Sequence, residues 1–173
     1  MRGGGRKEGD TMDGESGYMT AKNVRMVSLG LLVIGLFLPM ISINFLGMSQ
    51  GISLFDVVTN VSSLSILGDV DDLITLVYVI FLVYLIAMIT NALAIFNGSR
   101  TYAVISGIFA LIYSGVIFAG VLAAKAEIAS SADDPFSRTL GSAVASMFNV
   151  DIGVGVAFLA SILLFGSLMM RKR

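Results

Sequence analysis

The chain contains four long apolar runs, at residues 26–45, 73–96, 102–124 and 152–170, and none of them carries an Asp, Glu, Lys or Arg. A helix rises about 1.5 Å per residue, so about 20 apolar residues cross the roughly 30 Å hydrocarbon core of a bilayer. Backbone polar groups in hydrocarbon must bond within their own segment, which favours helices. The pattern therefore predicts an all-α integral membrane protein, a bundle of four transmembrane helices over residues 26–170.

The segments between the runs carry signals of local structure. Asn97 and Gly98 join the second and third runs through a connection of five residues, and both residue types tolerate the backbone of a tight turn. These two helices should therefore form an antiparallel hairpin. In the longer connection before the fourth run, residues 136–148 are predicted to form a short helix whose apolar stripe comprises Leu140, Val144 and Phe148.

The connection between the first two runs has the pattern of an amphipathic helix. Ser53 and Asp56 match the S-x-x-D pattern of a helix start. Apolar residues at helical spacing follow this start. Their face either covers the bundle as a lid on the outer membrane surface or binds a partner protein. This predicted contact face consists of Leu54, Val57, Val58, Val61 and Leu64.

The distribution of charge predicts the orientation in the membrane. Nine of the eleven Lys and Arg residues fall in residues 1–25, residues 97–101 and residues 171–173, whereas eight of the twelve acids fall in the other two connections. Basic residues are retained on the cytoplasmic side. We therefore expect a multi-pass plasma-membrane protein with both termini in the cytoplasm. Residues 1–25 hold six glycines and nine charges, which predicts a disordered tail, and residues 171–173 form a basic cytoplasmic end.

Composition excludes several kinds of chemistry. Apolar residues make up 56% of the chain and charged residues 13%, and there is no Cys and no His. Without them, thiol nucleophiles, thiolate metal sites and His general bases are excluded. A formal net charge of −1 argues against a nucleic-acid partner. We predict no enzymatic activity and no cofactor, and we expect the lipid bilayer as the surroundings.

Small residues in the last two runs are predicted to pack helices closely. Small side chains at every fourth position let two helix backbones approach each other. The contact could lie within the bundle or between copies in a homo-oligomer, or against another membrane protein. Asn91, an amide deep in the second run, is predicted to bond a neighbouring helix or to contact a substrate. The remaining packing residues are Ala103, Gly107, Ala110, Ser114, Gly153, Ala157 and Ser161.

Acidic residues cluster on the predicted outer side. Carboxylates could hold Ca²⁺ or Mg²⁺, which prefer oxygen ligands. The competing interpretation is helix capping, because acids favour helix N-termini and two of these residues immediately precede an apolar run. The weak metal candidates are Asp69, Asp71, Asp72 and Asp151.

Residues 37–58, FLPMISINFLGMSQGISLFDVV, resemble the exit of the first helix and the first loop in a group of small prokaryotic four-helix membrane proteins. In that group a proline lies near the end of the first span, here Pro39, which we expect to kink the helix. A glycine- and serine-containing segment then leads to a motif like Ser53-Leu54-Phe55-Asp56. The resemblance implies the same four-helix layout. Some members of the group add a cytoplasmic zinc ribbon, whose cysteines this chain lacks.

Three classes of function fit these features to different degrees. The best is a non-enzymatic scaffold, accessory subunit or envelope component, because the spans hold no charge and no catalytic pair is present. The alternative is an oligomeric channel or facilitator for cations or small solutes. An intramembrane enzyme is a distant third, with Asp72 and Asp151 as its acid–base pair. The polar residues that would line a channel are Asn91, Ser106, Ser114 and Ser161.

Overall fold

A computed structural model of the protein describes residues 20–45, 48–60, 71–130 and 135–170, and 82% of the described residues are helical. Six helices and three short strands make up these segments. In chain order they are α1 (Ala21–Phe37), β1 (Pro39–Phe45), β2 (Met48–Ser53), α2 (Leu54–Thr59), α3 (Asp71–Phe96), α4 (Arg100–Ser130), α5 (Pro135–Met147), β3 (Phe148–Val150) and α6 (Ile152–Met169).

Three helices are long enough and apolar enough to cross a membrane. They are α3, in which the apolar stretch is Ile74–Phe96, together with α4 and α6. These helices coincide with the predicted runs at 73–96, 102–124 and 152–170. The turn between α3 and α4 contains Gly98 at a φ of 61°, in the left-handed region that glycine adopts at little cost. Three such helices support a multi-pass membrane protein.

The first apolar run is divided between a helix and a strand, so the prediction of one continuous helix over residues 26–45 is wrong. Helix α1 ends at Phe37, Leu38 has an extended backbone with a ψ of 146°, and Pro39 begins β1. Proline has no N–H to donate and disfavours helical backbone at the residue before it. It therefore ends the helix instead of kinking it.

Strand β1 is the centre of a three-stranded antiparallel sheet in the order β2-β1-β3, which an all-α prediction omitted. Strand β2 pairs with β1 as a hairpin, with Ile41 opposite Ile52. Strand β3 comes from the connection before α6 and pairs on the other side, with Ile41 opposite Val150. The sheet therefore joins two connections that are far apart in sequence.

The two short helices begin at or next to their predicted first residues, and α2 ends at Thr59, whereas its predicted continuation to Leu64 lies outside the described residues. The Asp56 N–H donates to Ser53 Oγ at 3.0 Å and the Ser53 N–H donates to Asp56 Oδ2 at 3.1 Å, which is the reciprocal capping box expected at the start of α2. The Ser53 Oγ also donates to Asp56 Oδ2 at 2.6 Å, and this bond, together with the bond from the Ser53 N–H, lowers the pKa of Asp56. Helix α5 covers nearly all of the predicted residues 136–148, and Phe148 belongs to β3 instead.

The long helices pack around a common core. Helix α1 contacts α3 and α6, and α4 contacts the same two helices. The core between them consists of alanines, two tyrosines and larger aliphatic residues, among them Leu32, Tyr84, Ala110, Tyr113 and Ala157. The sheet, α2 and α5 all lie at the end where α1 stops and α6 starts, because β1 contacts α6 and α5 contacts α4 and β1.

Candidate functional site

Polar side chains buried between the long helices form the candidate site, because they are the groups in an apolar core that need a specific partner. Four of them, the inner polar cluster, lie on the three helices α1, α3 and α6, towards the turn that joins α3 to α4. The inner polar cluster consists of Arg25, Ser28, Asn91 and Ser167.

Arg25 holds three parts of the chain together. The side chain is 5% exposed, its Nη1 donates to Ala94 O at 2.9 Å and to Ser99 O at 3.3 Å, and its Nε donates to Ser167 Oγ at 3.3 Å. Ala94 lies in the last turn of α3, where carbonyl groups lack helical partners and the helix dipole is negative. The guanidinium therefore caps α3 and ties it to α1 and α6.

Sequence reasoning treated Arg25 only as a cytoplasmic charge at the edge of the first run. A flanking Arg usually extends towards water, so the side chain's burial was not expected. The available signal was its helical spacing to Ser28, which places both polar residues on the same face of α1.

Ser28 and Asn91 meet one turn further into the core. The Ser28 Oγ donates to Ala160 O at 2.9 Å, and the Asn91 Nδ2 donates to Ser28 Oγ at 3.4 Å. The first bond links α1 to α6 and the second links α3 to α1. Asn91 is fully buried, and its Oδ1 has no donor within the described segments. The predicted bond to a neighbouring helix is therefore present but long, and the amide oxygen is left without a hydrogen-bond partner among the described residues.

Two tyrosines occupy the middle of the core. The Tyr84 hydroxyl donates to Leu32 O at 2.6 Å, and its ring lies edge-on to the ring of Tyr113 with centroids 4.5 Å apart. The Tyr113 hydroxyl donates to Met40 Sδ at 3.8 Å. A Cβ on Gly35 would lie 2.7 Å from the Tyr84 oxygen. Glycine at this position on α1 thus makes room for the phenol.

The serines proposed to line a channel are buried within one chain and already bonded. The Ser106 Oγ donates to Ala87 O at 2.6 Å, which links α4 to α3. The Ser114 Oγ donates to Ala110 O in its own helix at 2.9 Å, and the Ser161 Oγ donates to Phe158 O at 2.7 Å. These three hydroxyls therefore have hydrogen-bond partners within the chain itself.

The predicted small residues of α4 and α6 lie inside the chain. Ala103, Ala110 and Ala157 are fully buried. A Cβ on Gly107 would lie 3.1 Å from the Phe165 ring, so glycine allows α4 and α6 to approach closely. Gly153 approaches the backbone at the start of β1, where a Cβ would meet Pro39 O at 2.7 Å. These close approaches join helices and strands of the chain itself, and the predicted contact between copies stays a prediction.

The predicted contact face on α2 points towards the helices. Leu54 is buried, and Val57 and Val58 are half-buried against the same core as α1 and α3. This arrangement is that of a lid. Val61 and Leu64 lie outside the described residues.

The acidic candidates do not come together as a metal site within the described part of the chain, where no group of three or more His, Cys, Asp or Glu residues is close enough to hold an ion. Asp151 accepts a hydrogen bond from the Ile152 N–H at 2.6 Å and caps α6. Asp71 and Asp72 lie in the first turn of α3. Asp69 lies outside the described residues.

Comparison with known proteins gives no relative, since no family model, curated protein or solved structure matches the chain. The resemblance of residues 37–58 to small four-helix membrane proteins therefore stays a prediction.

Proposed function

We propose that the protein is a non-enzymatic scaffold or accessory subunit of the cell membrane, built on four membrane-crossing helices. The observation that carries this proposal is how the core uses its polar groups. Arg25, Ser28, Tyr84 and Ser106 all donate to backbone carbonyls of neighbouring helices or of the turn after α3. Such bonds fix helices relative to one another and leave those groups little capacity for a substrate or an ion.

Helix α1 is the proposed first crossing. Its 17 residues span about 26 Å, which is close to the thickness of the hydrocarbon core. It packs between α3 and α6, which are both long enough to cross. Strand β2 forms an edge of the sheet, and an open strand edge is not tolerated in hydrocarbon. The sheet would therefore lie at the membrane surface, and the outer end of α1 would lie just below it.

The proposed orientation places the sheet outside the cytoplasm. Lys22, Arg25 and Arg100 lie at the end of the helices opposite the sheet, whereas Asp56 and Asp151 lie at the sheet end. Basic residues on the cytoplasmic side are the general rule for membrane helices. Both termini would therefore be cytoplasmic, and the sheet with α2 and α5 would face the other side.

A flux assay tests the scaffold against the channel. Purified protein is reconstituted into liposomes, and the leakage of K⁺ and of a small uncharged solute is compared with protein-free liposomes. We expect no added flux, because the serines and Asn91 are enclosed in the core of one chain. We also expect a membrane-protein partner to remain bound in stoichiometric amount during purification in mild detergent.

The control for this assay is Asn91→Leu, which removes the least satisfied polar group of the core. Flux through the unmodified protein that disappears in this variant would contradict the scaffold and favour a channel. Equal, background-level leakage from both proteins would agree with the scaffold.

A further inference from the structure

Within the described chain, the nitrogen of the Asn91 amide has a hydrogen-bond partner and the oxygen has none. The Ser28 hydroxyl has one proton, and it is used in the shorter bond to Ala160 O at 2.9 Å. Ser28 must therefore accept from Asn91, which places Nδ2 against Ser28 and turns Oδ1 away from it. Oδ1 is then the one buried side-chain nitrogen or oxygen, among the described residues, without a hydrogen-bond partner.

The same conclusion holds if the amide is turned over. Exchanging oxygen and nitrogen would turn Oδ1 towards Ser28 Oγ, whose only proton is already used in the bond to Ala160 O, so the amide oxygen would again lack a donor. A buried polar group without a partner costs about 1–3 kcal/mol, and more where no water can reach it. The position next to Asn91 therefore requires a further polar group.

The chemistry around Asn91 restricts what that group can be. Arg25 lies three residues before Ser28 on α1, and its partner Ala94 lies three residues after Asn91 on α3, so the two polar levels are separated by about one helical turn. The positive charge of the guanidinium disfavours a metal cation in the same core. An anion without a proton cannot donate to the amide oxygen. A neutral molecule that both donates and accepts fits either orientation of the amide.

We propose that a buried water molecule binds Asn91 Oδ1 in the one-turn interval between the Ser28–Asn91 pair and Arg25. Water is the smallest molecule that can donate to Oδ1, and buried waters typically bond such leftover polar groups. The three hydrogen bonds of Arg25 use three of its five N–H donors, so two N–H groups remain for a bond to the water. The inner polar cluster would then be a contact between α1, α3 and α6 that contains a bound water molecule.

Solid-state NMR on the full-length protein tests this site. The protein is labelled with ¹³C and ¹⁵N in its Asn and Ala residues and placed in bilayers of deuterated phosphatidylcholine and phosphatidylglycerol. Magnetisation is transferred from water protons to the protein, and the Asn91 signals are assigned by their loss in Asn91→Leu. The matched internal control is the methyl group of Ala110, which is also fully buried but lies among apolar residues.

We expect the Asn91 side chain to receive magnetisation from water several-fold faster than the Ala110 methyl group does. The exposed Asn97 side chain should receive it fastest and confirms that the transfer works. A transfer rate for Asn91 equal to that of Ala110 would overturn the proposal, as would a through-space correlation that assigns a protein donor to Oδ1.

Discussion

Replacing Arg25 with methionine is expected to lower the free energy of unfolding by about 3 kcal/mol. The side chain makes three hydrogen bonds from a buried guanidinium, to Ala94 O, Ser99 O and Ser167 Oγ. Hydrogen bonds to charged groups contribute about 1.5–3 kcal/mol each. The loss should separate the last turn of α3 from α1 and α6. Reversible unfolding in mixed detergent micelles measures it.

Lys22→Met is the matched control for this change. Lys22 lies one turn from Arg25 on the same helix, carries the same charge and is exposed. Its loss should change stability by less than about 0.5 kcal/mol. Arg25→Lys should recover only part of the loss, because an ammonium lacks the planar fork that reaches several carbonyls. Equal effects of Arg25→Met and Lys22→Met would show that only charge matters and would contradict the capping role.

Gly153→Ala is expected to destabilise the protein by about 2 kcal/mol. The new Cβ would lie 2.7 Å from Pro39 O and 2.8 Å from Leu38 O. Both oxygens belong to the backbone at the junction of α1 and β1, so they cannot move without shifting the central strand of the sheet. Overpacking of this kind typically costs about 1–3 kcal/mol. The same unfolding measurement detects it.

Gly155→Ala makes the same chemical change two residues further along α6. Its Cβ would meet no atom within 4 Å. Alanine is favoured over glycine inside a helix by up to about 1 kcal/mol, so this variant should be neutral or slightly more stable. The two substitutions should therefore have opposite signs. A stabilising or neutral Gly153→Ala would contradict the close approach of α6 to the α1–β1 junction.

The three long helices could be predicted because their signal is simple. Each is an uncharged apolar run whose length matches a membrane, and each matching helix ends within a few residues of its run, apart from the C-terminal end of α4. The start of α2 could also be predicted, because the Ser53 and Asp56 side chains bond locally to the backbone. These features depend on neighbouring residues or on bulk hydropathy alone.

The sheet could not be predicted from hydropathy, because an uncharged apolar run has the same mean hydropathy as a helix or as a buried strand. Pro39 marked the boundary, and the alternation of Ile41 and Ile43 with polar residues was compatible with a strand. What makes β1 a strand is its pairing with β2 and β3, and β3 follows more than a hundred residues later.

The core site was only half predictable from the sequence. Asn91 was noticeable because an amide inside an apolar run needs a partner, yet the identity of that partner, Ser28, depends on how α1 packs against α3. Arg25 was counted with the predicted cytoplasmic segment. Its burial could not be predicted, because it depends on how the end of α3 packs against α1. Local sequence shows which residues need a partner, and tertiary packing decides which partner they find.

Cysteine labelling of intact cells tests the membrane arrangement most directly, since the chain has no native cysteine. Single cysteines are placed at Gln50, exposed on β2, and at Asn97, exposed in the turn between α3 and α4. With a membrane-impermeant thiol reagent, Gln50→Cys should react in intact cells and Asn97→Cys only after permeabilisation. Labelling of Asn97→Cys while Gln50→Cys stays unreactive, or recovery of the protein in the aqueous fraction after lysis, would contradict the account.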